Sequence, residues 1–237
     1  MATEVLIPWR DRGCHWRQQA LDYVTHRWWN VYDAITVAQD DWFPPWGFDP
    51  ADPDPHPWVK AHAVTPHARA STADVLVVAD ADVWVPGIGI KLAVQAVEKG
   101  APWAIPHGLV HRLDQHATFR LLGDLGTLID GPWEERPYLG RVGGGVVVLP
   151  RQTYLDIPLD PRFEGWGHED DAWAAALTML AGKPWRGEAN LYHLWHPAQP
   201  RDSRLIGSER SLDLLRRYRR ANKRTMEHLM VEARARV

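Results

Sequence analysis

Residues 74–79 read Asp-Val-Leu-Val-Val-Ala, and Asp80-Ala81-Asp82 follow without a spacer. Such an apolar run is far too short to cross a bilayer. It fits a strand buried on both faces, because a half-exposed strand would alternate apolar with polar residues. A strand of that kind needs helices above and below it, which points to an α/β architecture with a mostly parallel sheet. In such sheets ligands bind where strands end at their carboxyl side. Asp80 and Asp82 therefore stand where chemistry is expected.

The rest of the chain supplies the matching elements. Residues 5–7 predict a short buried strand, 14–28 a helix, and 34–38 a second strand. Residues 43–58 hold six prolines, which suit neither helix nor central strand and predict a long surface loop. Helix is expected over 58–72, interrupted near Pro66, and over 88–99, ended by Gly100. A strand over 102–106, a helix over 116–130 and a strand over 145–149 follow. A helix over 170–181 closes at Gly182, a strand ends near Leu191, and a final helix runs over 208–235. Leu215, Tyr218, Asn222, Met226 and Leu229 form one stripe of that last helix. No internal repeat breaks this order, so one domain over 1–200 is expected, with a basic helical tail over 201–237 packed on it.

Charge separates the tail from the rest. The chain carries a net charge of −3, yet residues 201–237 hold 11 Lys or Arg against 5 Asp or Glu. A solvated helix face explains this excess; contact with an anionic substrate, a membrane or nucleic acid is the other reading, with nucleic acid the least favoured. The single cysteine, Cys14, excludes an intramolecular disulfide and a cysteine-based zinc site. No leader-like start and no apolar run of membrane-spanning length are found, so a reducing, cytoplasmic setting is expected. Fourteen tryptophans suit either sugar stacking or core filling.

Three constellations carry chemistry. Asp80 and Asp82 can face one crevice, and as hard oxygen ligands they suit Mn²⁺ or Mg²⁺ shared with a diphosphate. A pair of acids solvating a turn is the alternative. Residues 163–171, Phe-Glu-Gly-Trp-Gly-His-Glu-Asp-Asp, open a helix. Acids favour a helix N-terminus in any protein, but that does not explain a Trp between two glycines. Glycines let backbone pass close to a ligand, the indole offers a face to a sugar ring, and a carboxylate can take a hydroxyl proton. Last, Tyr192-His193-Leu194-Trp195-His196 sets two histidines three apart after a candidate strand. They read either as metal ligands or as hydrogen-bonded structural histidines.

The order Ile-Pro-Trp-Arg-Asp-Arg (7–12), Asp-Ala-Asp (80–82), Gly-Gly-Gly (143–145), Gly-Trp-Gly-His-Glu-Asp-Asp (165–171) and His-Leu-Trp-His (193–196) resembles the catalytic domain of the β-1,4-galactosyltransferases. The Gly-Trp-Gly-acid block is also similar to that of the polypeptide N-acetylgalactosaminyltransferases. The resemblance implies a GT-A fold, Rossmann-like, and transfer of a sugar from a nucleotide diphosphosugar, UDP-linked, to an acceptor hydroxyl with inversion. It implies that Pro8, Arg10 and Arg12 hold the uridine diphosphate, and that Asp80 lies near the ribose. It further implies that Asp82, His196 and His193 bind Mn²⁺ or Mg²⁺, that Gly144 and Gly145 line the donor-sugar pocket, and that Trp166 and Gly167 close over the sugars. On the same resemblance Glu169 is expected to bind the acceptor and Asp170 to be the general base, with Asp171 expected to turn to solvent or cap the helix. The acceptor, whether glycan, protein or small molecule, is left open. His168 replaces the glycine usual in that block, and the proline-rich loop and basic tail have no counterpart.

Two other classes compete. A nucleotidyltransferase of related fold would open with a glycine-rich phosphate loop, whereas residues 8–13 contain one glycine. A non-catalytic carbohydrate-binding protein would explain tryptophans and acids but has no need of a two-part metal constellation. A metallohydrolase built on the two histidines lacks a Glu between them to activate water.

Overall fold

Along each central strand, successive side chains enter opposite cores. Val5, Ile7 and Trp9 lie in one apolar cluster and Leu6 in the other; Val75, Val77 and Ala79 oppose Leu76 and Val78; Val146 and Val148 oppose Val147 and Leu149. This is the period-two geometry of a strand with both faces covered. Burying each Val or Leu contributes about 1.5–3 kcal/mol, so these strands are strongly committed to the centre. The computed structural model describes residues 1–11, 13–29, 31–32, 34–39, 57–123, 136–198 and 201–236, with side chains from 208 onward in the last stretch.

The described strands are β1 (Thr3–Trp9), β2 (Ala34–Gln39), β3 (Val75–Ala79), β4 (Val83–Trp84), β5 (Ala104–Arg112), β6 (Tyr138–Leu139), β7 (Val146–Pro150) and β8 (Trp185–His193). The described helices are α1 (His15–Trp29), α2 (Lys60–Ala70), α3 (Gly87–Glu98), α4 (Gln115–Gly123), α5 (Arg151–Asp156), α6 (Glu169–Leu180), α7 (Arg201–Arg220) and α8 (Lys223–Arg234). The sheet order is β2-β1-β3-β7-β5-β8-β4, with β6 paired to β5. One core, packed by α1, α3 and α4, covers one face; α2, α5, α6, α7 and α8 cover the other.

The sheet departs from the expected mostly parallel arrangement. β1 runs parallel to β2 and β3, and β5 parallel to β8. β7 runs antiparallel to both β3 and β5, and β4 antiparallel to β8. An apolar run reports burial on both faces, not strand direction, so a buried antiparallel strand reads the same in sequence. β5 and β8 also run longer than expected, because their polar residues hide their strand character.

The final helix is two helices. α7 ends at Arg220, and Asn222 caps α8: its side-chain oxygen accepts from the Thr225 N–H at 3.0 Å while the Thr225 hydroxyl accepts from the Asn222 N–H at 2.9 Å. Asn competes with helix in mid-segment but favours its start. Leu215, Tyr218, Met226 and Leu229 are all buried, as the stripe requires. Tyr218 donates to the buried Asp160 at 2.7 Å. Arg162 pairs with Asp160 and with Glu232 of α8, and Arg217 reaches Glu232 at 3.0 Å. Part of the tail's charge is thus spent on internal ion pairs. Of the helix expected over 116–130, α4 covers the start, while 124–130 lie outside the described residues. So do 40–56 and hence most of the proline-rich segment.

Candidate active site

Asp82 and the two histidines meet because β4 and β8 pair. Val83 faces His193 and Trp84 faces Tyr192 across that short antiparallel ladder. The Leu194 N–H donates to the Asp82 carbonyl at 2.8 Å, which locks the two segments together just beyond it. The Trp195 N–H donates to the buried Thr118 hydroxyl at 2.8 Å, and Trp195 packs edge-on against Trp16 at 5.2 Å. His196 Nε2 then lies 2.9 Å from one Asp82 carboxylate oxygen, and His193 Nε2 lies 3.9 Å from the other.

One ligand atom from each of Asp82, His193 and His196 falls within 4.8 Å of the other two. His196 Nδ1 sits 3.0 Å from the Pro197 carbonyl. A carbonyl only accepts, so that contact places the ring proton on Nδ1 and turns the Nε2 lone pair inward, as metal-binding histidines commonly do. Burial alone would raise the Asp82 pKa. When protonated, His193 and His196, together with Arg17, outweigh it and hold the carboxyl well below its usual range. Burial pushes the His193 pKa down, against the opposing pull of Asp82, and so favours the neutral imidazole. An ionised carboxylate with two imidazoles fits a divalent cation. Two nitrogen donors suit Mn²⁺ better than Mg²⁺, which prefers oxygen alone.

The second cluster forms around a residue that the sequence did not single out. Lys60, at the first position of α2, is 9% exposed; its ammonium lies 2.6 Å from Asp80 and 3.1 Å from Asp170. A cation at a helix N-terminus is locally unfavourable, and α2 has no side-chain cap. The carboxylates supply what the helix does not. Burial would lower the Lys60 pKa, but Asp170, Asp80 and Glu169 together raise it, so it stays charged. A lysine between Val59 and Ala61 at the start of a buried helix is the one signal that could have revealed it.

Asp170 feels the reverse. Burial, Glu169 and Asp80 raise its pKa, against the opposing charge of Lys60. Glu169 is likewise raised by burial, with Asp80 and Asp171 adding to the effect and Lys60 opposing it. Three carboxylates share one ammonium, so this corner holds a proton more readily than isolated acids would.

A glycine strap completes the corner. A Cβ on Gly143 would stand 2.6 Å from the Asp170 carbonyl oxygen, and one on Gly144 3.7 Å from its carboxylate. Gly145, at φ +77°, would drive a Cβ to 2.5 Å from Leu191. The Asp80 N–H donates to the Gly145 carbonyl at 2.9 Å. Gly144 and Gly145 therefore run directly beside Asp170 and Asp80.

In the Gly-Trp-Gly segment, Gly165, Gly167 and His168 all have positive φ; His168, at 76°, is the one such non-glycine among the described residues. Its side chain contacts Ser208 of α7 at 2.9 Å. Trp166 is 53% exposed, and the Gly165 N–H donates to the Trp58 carbonyl at 2.8 Å, next to Lys60. Asp171 is partly exposed and paired: Arg141 and Arg219 both reach its Oδ2.

The nucleotide residues are less gathered. Pro8 is buried within β1, opposite Ala38 of β2, so its backbone alone borders the strand end. Arg10 follows β1 and lies over the Trp58 ring at 5.5 Å. Arg12 lies outside the described residues.

No family model matches this sequence, and no curated protein matches it by sequence. Solved structures do resemble it. Glucosyl-3-phosphoglycerate synthase from Mycobacterium tuberculosis, in complex with Mn²⁺, UDP-glucose and phosphoglyceric acid, superposes with a TM-score of 0.51 at 15% identity, covering 97% of this chain and 80% of that one. GalNAc-T7 with UDP, GalNAc and Mn²⁺ gives 0.54 at 14% identity, covering 88% of this chain and 48% of that one. This chain thus spans about half of the second neighbour's length. Both are glycosyltransferases, and the curled mixed sheet flanked by helices is the arrangement they share with it. The chain has the GT-A glycosyltransferase fold.

Proposed function

We propose that this protein is a divalent-cation-dependent glycosyltransferase that moves a sugar from a nucleotide diphosphosugar, UDP-linked in the simplest case, to an acceptor hydroxyl. One observation carries the reading. The Asp82, His193 and His196 donor set and the Lys60, Asp80, Glu169 and Asp170 cluster flank one Asp-Ala-Asp turn at the end of β3. The two neighbours solved with Mn²⁺ and UDP add support for the class.

Asp82, His193 and His196 would hold the cation, which when bound supplies positive charge to a departing diphosphate. Arg10 adds charge from the β1 end, and Arg12 belongs to the same segment. Asp80 serves the donor side and Asp170 the acceptor side, and Lys60 ties one to the other. Gly144 leaves room for a sugar ring beside the Asp170 carboxylate, and Gly145 continues the same strap with its Cβ position closed off by Leu191. Trp166 and Gly167 offer an indole face and a pliable backbone over it, and Glu169 binds the acceptor. Asp170 accepts the acceptor hydroxyl's proton as that oxygen bonds to the anomeric carbon and the bond to the diphosphate oxygen breaks. Its raised pKa suits a group that must hold that proton afterwards. Attack from the face opposite the leaving group gives inversion.

The test is release of nucleoside diphosphate from a panel of nucleotide sugars with Mn²⁺, with Mg²⁺ and with chelator. Release with Mn²⁺, weaker with Mg²⁺ and absent with chelator, is the expected result. Sugar binding without turnover on any donor would favour a non-catalytic carbohydrate-binding protein instead. NMR of the product's anomeric configuration tests inversion.

A further inference from the structure

Two arginines from distant parts of the chain converge beside the proposed base. Arg141 lies two residues before the strap glycine that packs on Asp170, and Arg219 comes from the last turn of α7. Both contact the same oxygen of Asp171, at 3.4 and 3.2 Å. Charge-assisted bonds at their best run at about 2.8 Å, so both tethers are loose. Each guanidinium carries five donor hydrogens and spends one here, and two cations facing one carboxylate leave a net positive charge. Their side chains are 78% and 61% exposed, whereas that of Asp171 is 23% exposed. The acid is the least exposed of the three, and each guanidinium commits a single contact to it.

The setting is the acceptor side of the site. Asp171 follows Asp170 in α6, and His168, at the end of the Gly-Trp-Gly loop, feels the charge of both guanidiniums. Exposed Trp166 stands in the same loop. Arg162 and Arg217, by contrast, are drawn into ion pairs with Glu232 that join the tail to the body.

We propose that Arg141 and Arg219 form an anion subsite for the acceptor, so that the preferred acceptor carries a phosphate or carboxylate close to its reacting hydroxyl. This rests on the proposed glycosyltransferase function, but the anion subsite itself can be measured without turnover. Asp171 acts as the placeholder: it holds the two guanidiniums apart from Asp170 and yields one tether when an anion arrives.

Binding of glucose 6-phosphate, glucuronate and glucose to the full chain, by calorimetry with excess UDP and Mn²⁺ present, tests this. At least one charged sugar should bind 10-fold or more tighter than glucose, with the advantage shrinking as salt rises. Arg141→Gln and Arg219→Gln should each cut that advantage about 10-fold, the scale of one charge-assisted hydrogen bond. Arg141→Lys should restore part of it, which a merely structural role would not require. The phosphate-to-glucuronate ratio identifies the preferred anion. Equal binding of all three sugars, or an unchanged advantage in both glutamine variants, overturns the proposal. UDP release from donors by the wild type is scored separately. If it is absent while anion selectivity persists, the transferase reading fails and the subsite stands.

Discussion

The two acidic corners of this site are built from the same side chain and end in opposite states. Asp82 faces two imidazoles, and its pKa is held well below the ordinary carboxylate range. Asp170 shares Lys60 with Asp80 and sits next to Glu169, and its pKa is raised. Both side chains are partly buried, at 21% and 29% exposure, so depth does not separate them. Neighbours do. Nitrogen donors around one acid make a place for a cation, and acids around another make a place for a proton. Environments that push like groups apart in this way mark the division of labour in many acid–base sites.

The sharpest way to break the comparison is at the first corner. Asp82→Ala should abolish Mn²⁺-dependent turnover. His196→Ala should weaken Mn²⁺ affinity by roughly 10–100-fold, the scale of lost metal-site interactions. Nucleoside diphosphate release measures the first and electron paramagnetic resonance of free Mn²⁺ the second, and full activity of both variants in chelator would show that the corner holds no functional ion.

At the second corner, Asp170→Asn should reduce transfer by about 10²–10⁴-fold, the usual worth of a positioned base, while Mn²⁺ and UDP affinities stay near wild type. Normal transfer by that variant, or retained configuration in the product, would remove Asp170 from the base role.

Lys60→Met sharpens the contrast through pH. Asp170 works deprotonated, so activity should fall as pH drops through its pKa. Lys60 opposes the burial and like-charge effects that raise that pKa, so its loss raises the pKa further. The acid limb of kcat/KM should therefore move to higher pH. A limb that stays in place would separate Lys60 from the base.

The smallest effect concerns the strap. Gly145→Ala must accept both a positive φ and a 2.5 Å approach to Leu191, and should cost about 1–3 kcal/mol. Gly144→Ala meets Asp170 at 3.7 Å, an ordinary contact, and should leave the melting temperature nearly unchanged. Equal melting temperatures would mean that the strap adapts freely.

Much of this was legible in sequence. The β3 run and its Asp-Ala-Asp ending gave a central strand and its functional end, since an apolar run bounded by acids has few other uses. The two histidines were read as candidate ligands from spacing, and the β4–β8 pairing explains why they meet Asp82. Lys60 was not legible. Its partners lie 20 and 110 residues further along the chain, and a lone lysine at a helix start reads as a solvated end. The direction of β7 was hidden because burial patterns carry no polarity. The break at Asn222 was hidden because the apolar stripe continues across it, while the capping exchange with Thr225 depends on geometry that spacing alone does not fix. The pairing of Asp171 with Arg141 and Arg219 was not legible, because it depends on where the strap and α7 carry those arginines.

The Leu194-to-Asp82 backbone bond has a consequence for how the molecule holds together. Asp82 and His193 stand roughly a hundred residues apart along the chain, and closing a loop of that length costs entropy that grows only slowly with length. An ion bridging them would act as a cross-link in a chain whose single cysteine cannot form one. For a loop of about 100 residues a covalent link of that kind is worth about 4.7 kcal/mol on the chain-entropy account. Chelation should then loosen β8 from β4 first, seen as faster amide exchange at Tyr192 to Leu194, while β1 and β3 keep their protection. The same two histidines would serve chemistry and serve as the clasp that closes one end of the sheet.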